Sequence, residues 1–285
     1  MQVVRQIPDV RAAVATARQH GRTIGLVPTM GALHEGHLSL CRAARQETNY
    51  VVVTIFVNPT QFGPNEDLDR YPRPLDQDLV LCRREGVDLV FAPNNEEIYP
   101  PDFRTFAEVR ELQDVLCGAS RPGHFRGVVT VVLKLFNITQ PDIAYFGQKD
   151  AQQARIIEQM VRDLNVPVRL RVCPIVREAD GLALSSRNQY LDAEQRRQAV
   201  VLHQALTETC QRIEQGERDA AQARQALIER VATAPAAVLD YAAIVAADSL
   251  RPVERLQGDI LIALAVKFGD TRLIDNMRLT IPVDH

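Results

Sequence analysis

Through the first two-thirds of the chain, short apolar runs alternate with longer stretches whose apolar residues recur every three or four positions. The runs at 24–27, 50–57, 87–91, 143–146 and 168–172 read as strands. The run at 50–57 is almost wholly β-branched and lacks polar alternation, as in a parallel strand buried on both faces. Between them lie helical patterns. Asp9, after Pro8, caps a helix whose face is Val10, Ala13, Val14 and Ala17 and which Gly21 closes. Leu38, Leu40, Cys41 and Ala44 follow His37 at helical spacing. Further helices are expected at about 75–84, at 127–138 and at 151–164, the last with Ile156, Ile157, Met160, Val161 and Leu164 on one face. From 92 to 123 the pattern loosens. There 105–109 reads as an edge strand and 111–116 as a short helix. Strands alternating with helices predict a parallel α/β sheet with right-handed crossovers.

Beyond Cys173 the order changes to helices and then strands. One long helix is expected at 192–215, capped by Asp192 and stopped by Gly216, and another at 219–232. Strands follow at 239–245, 260–266 and 271–275, with a turn at Gln257-Gly258-Asp259. This α+β pattern places a smaller second domain at 176–285, after a first domain at 1–175.

Composition narrows the class of protein. The 285 residues are 46% hydrophobic and 24% charged, with a net charge of −3. Such a chain has no basic field to hold nucleic acid. No apolar run reaches membrane-spanning length, and charges break residues 1–17, unlike a signal peptide. The five cysteines are scattered without a Cys-x-x-Cys pair and read as small core residues. A reducing cytoplasm is the expected home.

The chemistry centres on Leu26-Val27-Pro28-Thr29-Met30-Gly31-Ala32-Leu33-His34-Glu35-Gly36-His37. A strand runs into Pro28, which cannot donate to a ladder, and Gly31 and Gly36 permit tight turns. His37 then falls in the first turn of a helix. Free N–H groups and the positive dipole at a helix start attract phosphate, and two imidazoles three residues apart can touch one anion. Zinc is the rival reading. The metalloprotease pattern needs its histidines four apart, and no third ligand is evident. The chain has neither the lysine-ending P-loop nor a Gly-x-Gly-x-x-Gly run. The Thr-x-Gly-x-x-His-x-Gly-His arrangement resembles the signature of the HxGH nucleotidyltransferase superfamily.

Three other loops carry candidate groups. Asn58 and Gln61, in Phe56-Val57-Asn58-Pro59-Thr60-Gln61-Phe62, suit a hydroxylated small molecule, or make a simple Asn-Pro turn. Gly147-Gln148-Lys149-Asp150 lies between a strand and a helix, with Gln153 one turn in. Lys149 is a compact charge for a phosphate, although a solvated capping turn has the same look. Ser185, Ser186 and Arg187 make an anion cradle or an interdomain linker. Pro28, Asn58 and Gly147 each lie just past a strand end, where ligands bind in such sheets.

Taken in order, Pro-Thr-Met-Gly-Ala-Leu-His-Glu-Gly-His, Phe-Val-Asn-Pro-Thr-Gln-Phe, Gly-His-Phe-Arg-Gly, Tyr-Phe-Gly-Gln-Lys-Asp and Arg-Glu-Ala-Asp-Gly-Leu-Ala-Leu-Ser-Ser-Arg-Asn closely resemble the pantothenate synthetase family across nearly the whole chain, most densely from Leu26 to Leu191. The resemblance implies ATP- and magnesium-dependent joining of pantoate to β-alanine through a pantoyl adenylate, releasing AMP and pyrophosphate. It implies a Rossmann-like parallel sheet with helices on both faces, a smaller α+β C-terminal domain that acts as a lid, and a homodimer. ATP is then expected at Met30, Gly31, Ala32, Leu33, His34, Glu35, Gly36, His37, Gly147, Gln148, Lys149, Asp150, Val176, Leu184, Ser185, Ser186 and Arg187. His34 and His37 fall at the phosphates, with His37 as the proton donor. Chemistry is assigned to these two with Lys149, Ser185, Ser186 and Arg187. Gln61 is expected to bind pantoate and later β-alanine, with Gln153 beside it and Asn58 in the same loop. Asp78 and Asp150 are candidate magnesium ligands, and the Val128–Val132 run is a candidate apolar wall for pantoate's methyl groups. The chain departs from the family at Gln148, where Glu is frequent, and at Thr60, where Met is frequent. The rivals are an adenylyltransferase that leaves the nucleotide on its product, against which the uncharged Asn58/Gln61/Gln153 set argues, and a nucleotide-binding regulatory module without turnover.

Overall fold

The computed structural model describes residues 1–64 and 66–282. Its elements run β1 (Gln2–Val4), α1 (Ile7–Gln19), β2 (Ile24–Thr29), α2 (Glu35–Glu47), β3 (Tyr50–Ile55), α3 (Leu75–Arg84), β4 (Leu89–Phe91), α4 (Asn95–Ile98), α5 (Cys117–Ser120), α6 (His124–Thr139), β5 (Ile143–Gly147), α7 (Ala151–Asp163) and β6 (Arg169–Cys173). There follow α8 (Ala193–Gln198), α9 (Val201–Glu214), α10 (Ala220–Ala232), β7 (Ala237–Ala246), β8 (Gly258–Phe268) and β9 (Thr271–Ile281). Packing divides the chain into two compact units. The first is Met1–Asp114 with Arg121–Gln148 and Gln153–Pro174, and the second is Val115–Ser120 with Lys149–Gln152 and the chain from Ile175 onward.

The first unit is a six-stranded sheet in the order β1-β4-β3-β2-β5-β6, and every pairing is parallel. From β2 the chain steps one way to β3 and β4, then crosses back to β5 on β2's other side. Right-handed crossovers then put α2 and α3 on one face and α1, α6 and α7 on the other. The packing of α1 on α6 and of α2 on α3 agrees. The reversal of strand order at β2 and β5 is the switch point where such sheets bind ligands. Val27, Leu40, Val53, Val90 and Tyr145 belong to the core on the α2 side.

The second unit holds the antiparallel sheet β7-β8-β9, covered by α9 and α10. Leu202, Leu206, Ile213, Leu227, Ile262, Leu264 and Val266 form its core. Within this unit, the Arg177 guanidinium donates from both Nη atoms to Asp275 of β9, at 2.6 and 2.9 Å, and Asp275 is buried. All five cysteines are free and buried.

Several expectations need correcting. Helix α1 begins at Ile7, before Asp9, because the fixed φ of Pro8 suits a first helical turn. Asp9 sits inside that turn, and the cap residue Gln6 makes no side-chain cap bond. Residues 105–109 join no strand. Their Ala107 is held instead by Thr130 of α6, whose Oγ1 accepts from Ala107 N at 3.0 Å. Residues 111–116 are turns, and the short helix is α5, just beyond. The long helix expected at 192–215 is two, α8 and α9. At the break Leu202 N–H reaches back only three residues, to Ala199 O, at 3.2 Å. Strand β1 and helix α4 are additions: three and four residues are too few to show a period.

Helix α6 lies on the 3-10 turn Pro59–Gln61 backbone to backbone. A Cβ at Gly127 would meet Thr60 O at 2.4 Å and Gln61 N at 2.7 Å, neither of which can swing aside. Gly127→Ala is expected to lower unfolding free energy by about 1–3 kcal/mol, the scale of overpacking, measured by urea titration. Arg177→Met leaves Asp275 buried without its cation. The expected loss in the same titration is about 3–5 kcal/mol, and an unchanged midpoint would show that the pair contributes nothing.

Candidate active site

The His loop is built from its backbone upward. At the last residue of β2, Thr29 Oγ1 donates to Thr54 O at 2.7 Å and accepts from Gly31 N at 3.2 Å. The chain then turns through two left-handed residues, Gly31 at φ +83° and Ala32 at φ +50°. Such a φ is uncommon for alanine. A carboxyl group holds it there: Asp78, in the first turn of α3, accepts from Ala32 N at 2.9 Å and from Leu33 N at 2.8 Å. Asp78 is 1% exposed. Burial pushes its carboxyl above the usual range, and the two N–H groups partly offset this. Both its oxygens are thus engaged by protein, which speaks against its expected place as a magnesium ligand.

This turn delivers His34 to the N-cap of α2. His34 Nδ1 accepts from Gly36 N at 3.2 Å, and His37 Nδ1 accepts from His34 N at 3.3 Å. The rings lie 4.2 Å apart at 43°. With Nδ1 accepting, each neutral ring carries its proton on Nε2, which places two imidazole N–H groups at a helix N-terminus. Glu35, the one acidic residue of the first turn, is paired with Arg42. Among the described residues, no three His, Cys, Asp or Glu side chains are gathered to hold a metal ion, and both Nδ1 atoms are taken up by the cap. The zinc reading gains nothing from this geometry.

Asn58 caps the turn Pro59–Gln61 and is 0% exposed. Its Nδ2 donates to Gln61 Oε1 at 3.0 Å and to Gly127 O at 3.1 Å. Its Oδ1 accepts from Tyr99 Oη at 2.9 Å and Thr60 Oγ1 at 2.8 Å. Asn58 is therefore committed within the protein, and Gln61 is the member of this loop that reaches the His loop: its Nε2 lies 3.1 Å from Met30 Sδ. The loop is strapped to the start of α6. His124 Nδ1 lies 2.8 Å from Gln61 O, and Arg121 pairs with Glu66 at 2.5 Å. Burial raises the Glu66 carboxyl, but Arg121 outweighs it and the net shift is downward. Gly147 ends β5, next to β2, and Gln148 opens a 3-10 turn beyond it. Gln153 is half-buried in the first turn of α7.

The remaining candidates lie in the second unit. Lys149 Nζ is 3.9 Å from Asp150 Oδ2, and Lys149 O accepts from Asn276 Nδ2 at 3.0 Å. Leu184 N donates to Val176 O at 3.0 Å, closing a hairpin whose start, Arg177, is the residue anchored on Asp275. Arg196 ties the hairpin down through Glu178 and Asp180, at 2.7 and 2.8 Å. Ser185 Oγ accepts from Arg187 N at 3.2 Å and caps the turn Ser186–Tyr190. Lys149 and the 176–187 segment thus hang from neighbouring residues of β9. Asp275 and Asn276 were not anticipated as the residues that anchor these segments. The available signal was an adjacent Asp-Asn pair in a strand pattern, two residue types depleted in strands.

Comparison with known proteins places the chain in a family. The model of the pantoate-beta-alanine ligase family matches residues 2–278. The pantothenate synthetase of Moorella thermoacetica is 59% identical over 281 residues, 99% of each chain, and that of Acetivibrio thermocellus is 56% identical over 277 residues, 97% of this chain and 99% of the other. The crystal structure of pantothenate synthetase from Thermus thermophilus superposes with a TM-score of 0.93 at 46% identity, covering 97% of this chain and 99% of that one. A pantoate-beta-alanine ligase from Francisella tularensis, complexed with beta-gamma ATP and beta-alanine, gives 0.78 at 36% identity over 97% of each chain. With its capped histidine pair, its switch-point sheet and a family match over residues 2–278, the chain belongs to the pantoate-beta-alanine ligase family.

Proposed function

We propose that this chain condenses pantoate with β-alanine at the expense of ATP, by way of a pantoyl adenylate, and releases AMP and pyrophosphate. The observation that carries the reading is the His34–His37 pair capping α2 with Gln61 beside the same loop. The chemical problem is a carboxylate that does not react with an amine at neutral pH. Joining it to AMP creates a good leaving group. Pantoate's carboxylate attacks the α-phosphorus, the bond to pyrophosphate breaks, and negative charge spreads over phosphate oxygens. Donors fixed in advance stabilise that charge more in the transition state than in the ground state. His34 and His37 fit this work because their Nδ1 atoms are already occupied, which fixes both ring orientation and the Nε2 proton.

Pantoate is assigned to Gln61 and Gln153, and the buried valines of α6, Val128, Val129, Val131 and Val132, suit its methyl groups. Lys149, Ser185, Ser186 and Arg187, with the main chain at Gly147, Gln148, Asp150, Val176 and Leu184, are assigned to the nucleotide by likeness to the family. Gln148 makes this assignment without the carboxylate frequent at that position. Magnesium is taken to enter on the phosphates of ATP, the usual ligands of an ion that keeps several of its waters. In the second half-reaction the amine of β-alanine attacks the acyl carbon and expels AMP. A cytoplasmic homodimer is part of the same reading. Among the described residues, no helix is long and apolar enough to cross a membrane.

Pantoate alone should drive exchange of labelled pyrophosphate into ATP, with AMP accumulating only once β-alanine is added. An enzyme that exchanges only in the presence of β-alanine would refute the two-step scheme. His37→Gln is expected to slow the exchange by roughly 100- to 1000-fold, the scale of one lost transition-state donor. A folded variant with near-normal exchange would remove His37 from the chemistry.

A further inference from the structure

The carboxamide of Asn58 has only one possible orientation. Gly127 O can only accept, so the end of the amide facing it at 3.1 Å is the nitrogen. Thr60 N–H can only donate, so the end it approaches at 3.4 Å is the oxygen. Two hydroxyls reach that same oxygen, Tyr99 at 2.9 Å and Thr60 at 2.8 Å, and lie 3.2 Å from each other. The second N–H of Asn58 is then directed at Gln61, 3.0 Å away, and what it meets there must be Oε1. That leaves Nε2 of Gln61 on the side of the His loop, where it donates to the Met30 thioether at 3.1 Å. A thioether is a weak acceptor that a carboxylate or hydroxyl oxygen readily replaces.

We infer that Tyr99 is a positioning residue for pantoate: through Asn58, and with Thr60, it fixes the Gln61 side chain so that N–H donors rather than a carbonyl oxygen are offered to the substrate. This rests on the assignment of pantoate to Gln61 made above. On this reading Tyr99 acts through Asn58 and not on the substrate itself. Its ring is held in place by Phe103, 5.0 Å away edge to face, and by Phe56 at 6.2 Å, with the Lys134 ammonium 5.7 Å from its centre. Burial pushes the phenol further above its ordinary range, so it remains a donor throughout neutral pH. The relay makes the loop selective for an acceptor-bearing acid. A substrate presenting a donor at that point would meet two N–H groups, and Gln61 could not turn to suit it without breaking its bond to Asn58.

The test uses the whole enzyme and pantoate-dependent pyrophosphate exchange, which isolates the first half-reaction. Tyr99→Phe removes the hydroxyl, and with it the bonds to Asn58 and to Thr60, and leaves the ring in place. It should raise the KM for pantoate about 3- to 10-fold, the scale of one hydrogen bond, while kcat and the KM for ATP stay within about twofold. Thr60→Val should act in the same direction, and the double variant should exceed the product of the two, because each single variant leaves the other hydroxyl to hold Asn58. Wild-type pantoate KM in Tyr99→Phe, with exchange intact in the unmodified enzyme, would overturn the relay and leave the ligase reading standing. A parallel rise of both KM values with a lowered urea midpoint would likewise overturn it, in favour of a general packing role. Absence of exchange in the unmodified enzyme would remove the ligase reading and the relay together.

Discussion

A buried carboxyl group receiving two successive backbone N–H groups is the interaction on which the site depends. Asp78 comes from α3, more than forty residues along the chain from the loop it holds, and it engages Ala32 and Leu33 where the main chain enters a conformation alanine rarely adopts. Those N–H groups would otherwise point into a low-dielectric interior with no partner. Gly31 leaves room for the carboxyl, since a Cβ there would stand 2.9 Å from Asp78 Oδ2. The bend so produced decides where α2 starts, and the start of α2 decides where both imidazoles lie.

Histidine is an unusual helix cap, and here the cap bonds and the chemistry use different atoms of the same rings. Nδ1 of each ring satisfies a backbone donor of the first turn. This settles the tautomer, so that Nε2 bears hydrogen in the neutral ring. The pairing of Glu35 with Arg42 counters a negative charge that would oppose an anion at this helix end. Asn58 follows the same logic in the neighbouring loop: a polar group wholly satisfied inside the protein determines which end of another polar group faces outward.

Much of this was legible in the sequence, for identifiable reasons. The His loop was readable because its glycines, histidines and helix start lie within a dozen residues. The strands β2, β3 and β5 were readable because burial on both faces leaves an apolar run. Strand β7 reached further than its pattern, since an irregularity between Leu239 and Tyr241 interrupts the alternation. Strand β9 did so because it buries Asp275 and Asn276. The extended segment at 105–109 resembled a strand locally but finds its partner in a threonine side chain. Asp78 was singled out as a metal-ligand candidate, whereas the partners the structure gives it are remote backbone groups that no spacing reveals. Tyr99 sits in a segment without period, and only coordinates connect its hydroxyl to Asn58.

The arrangement at β9 has a mechanical consequence. The carbonyl of Lys149 hangs from Asn276, and the 176–187 hairpin hangs from Asp275 through Arg177. Adjacent residues of one hydrogen-bonded strand cannot travel separately without tearing the sheet. The lysine and the serine–arginine turn are accordingly coupled as one rigid handle, and any displacement of that sheet carries both through the same arc.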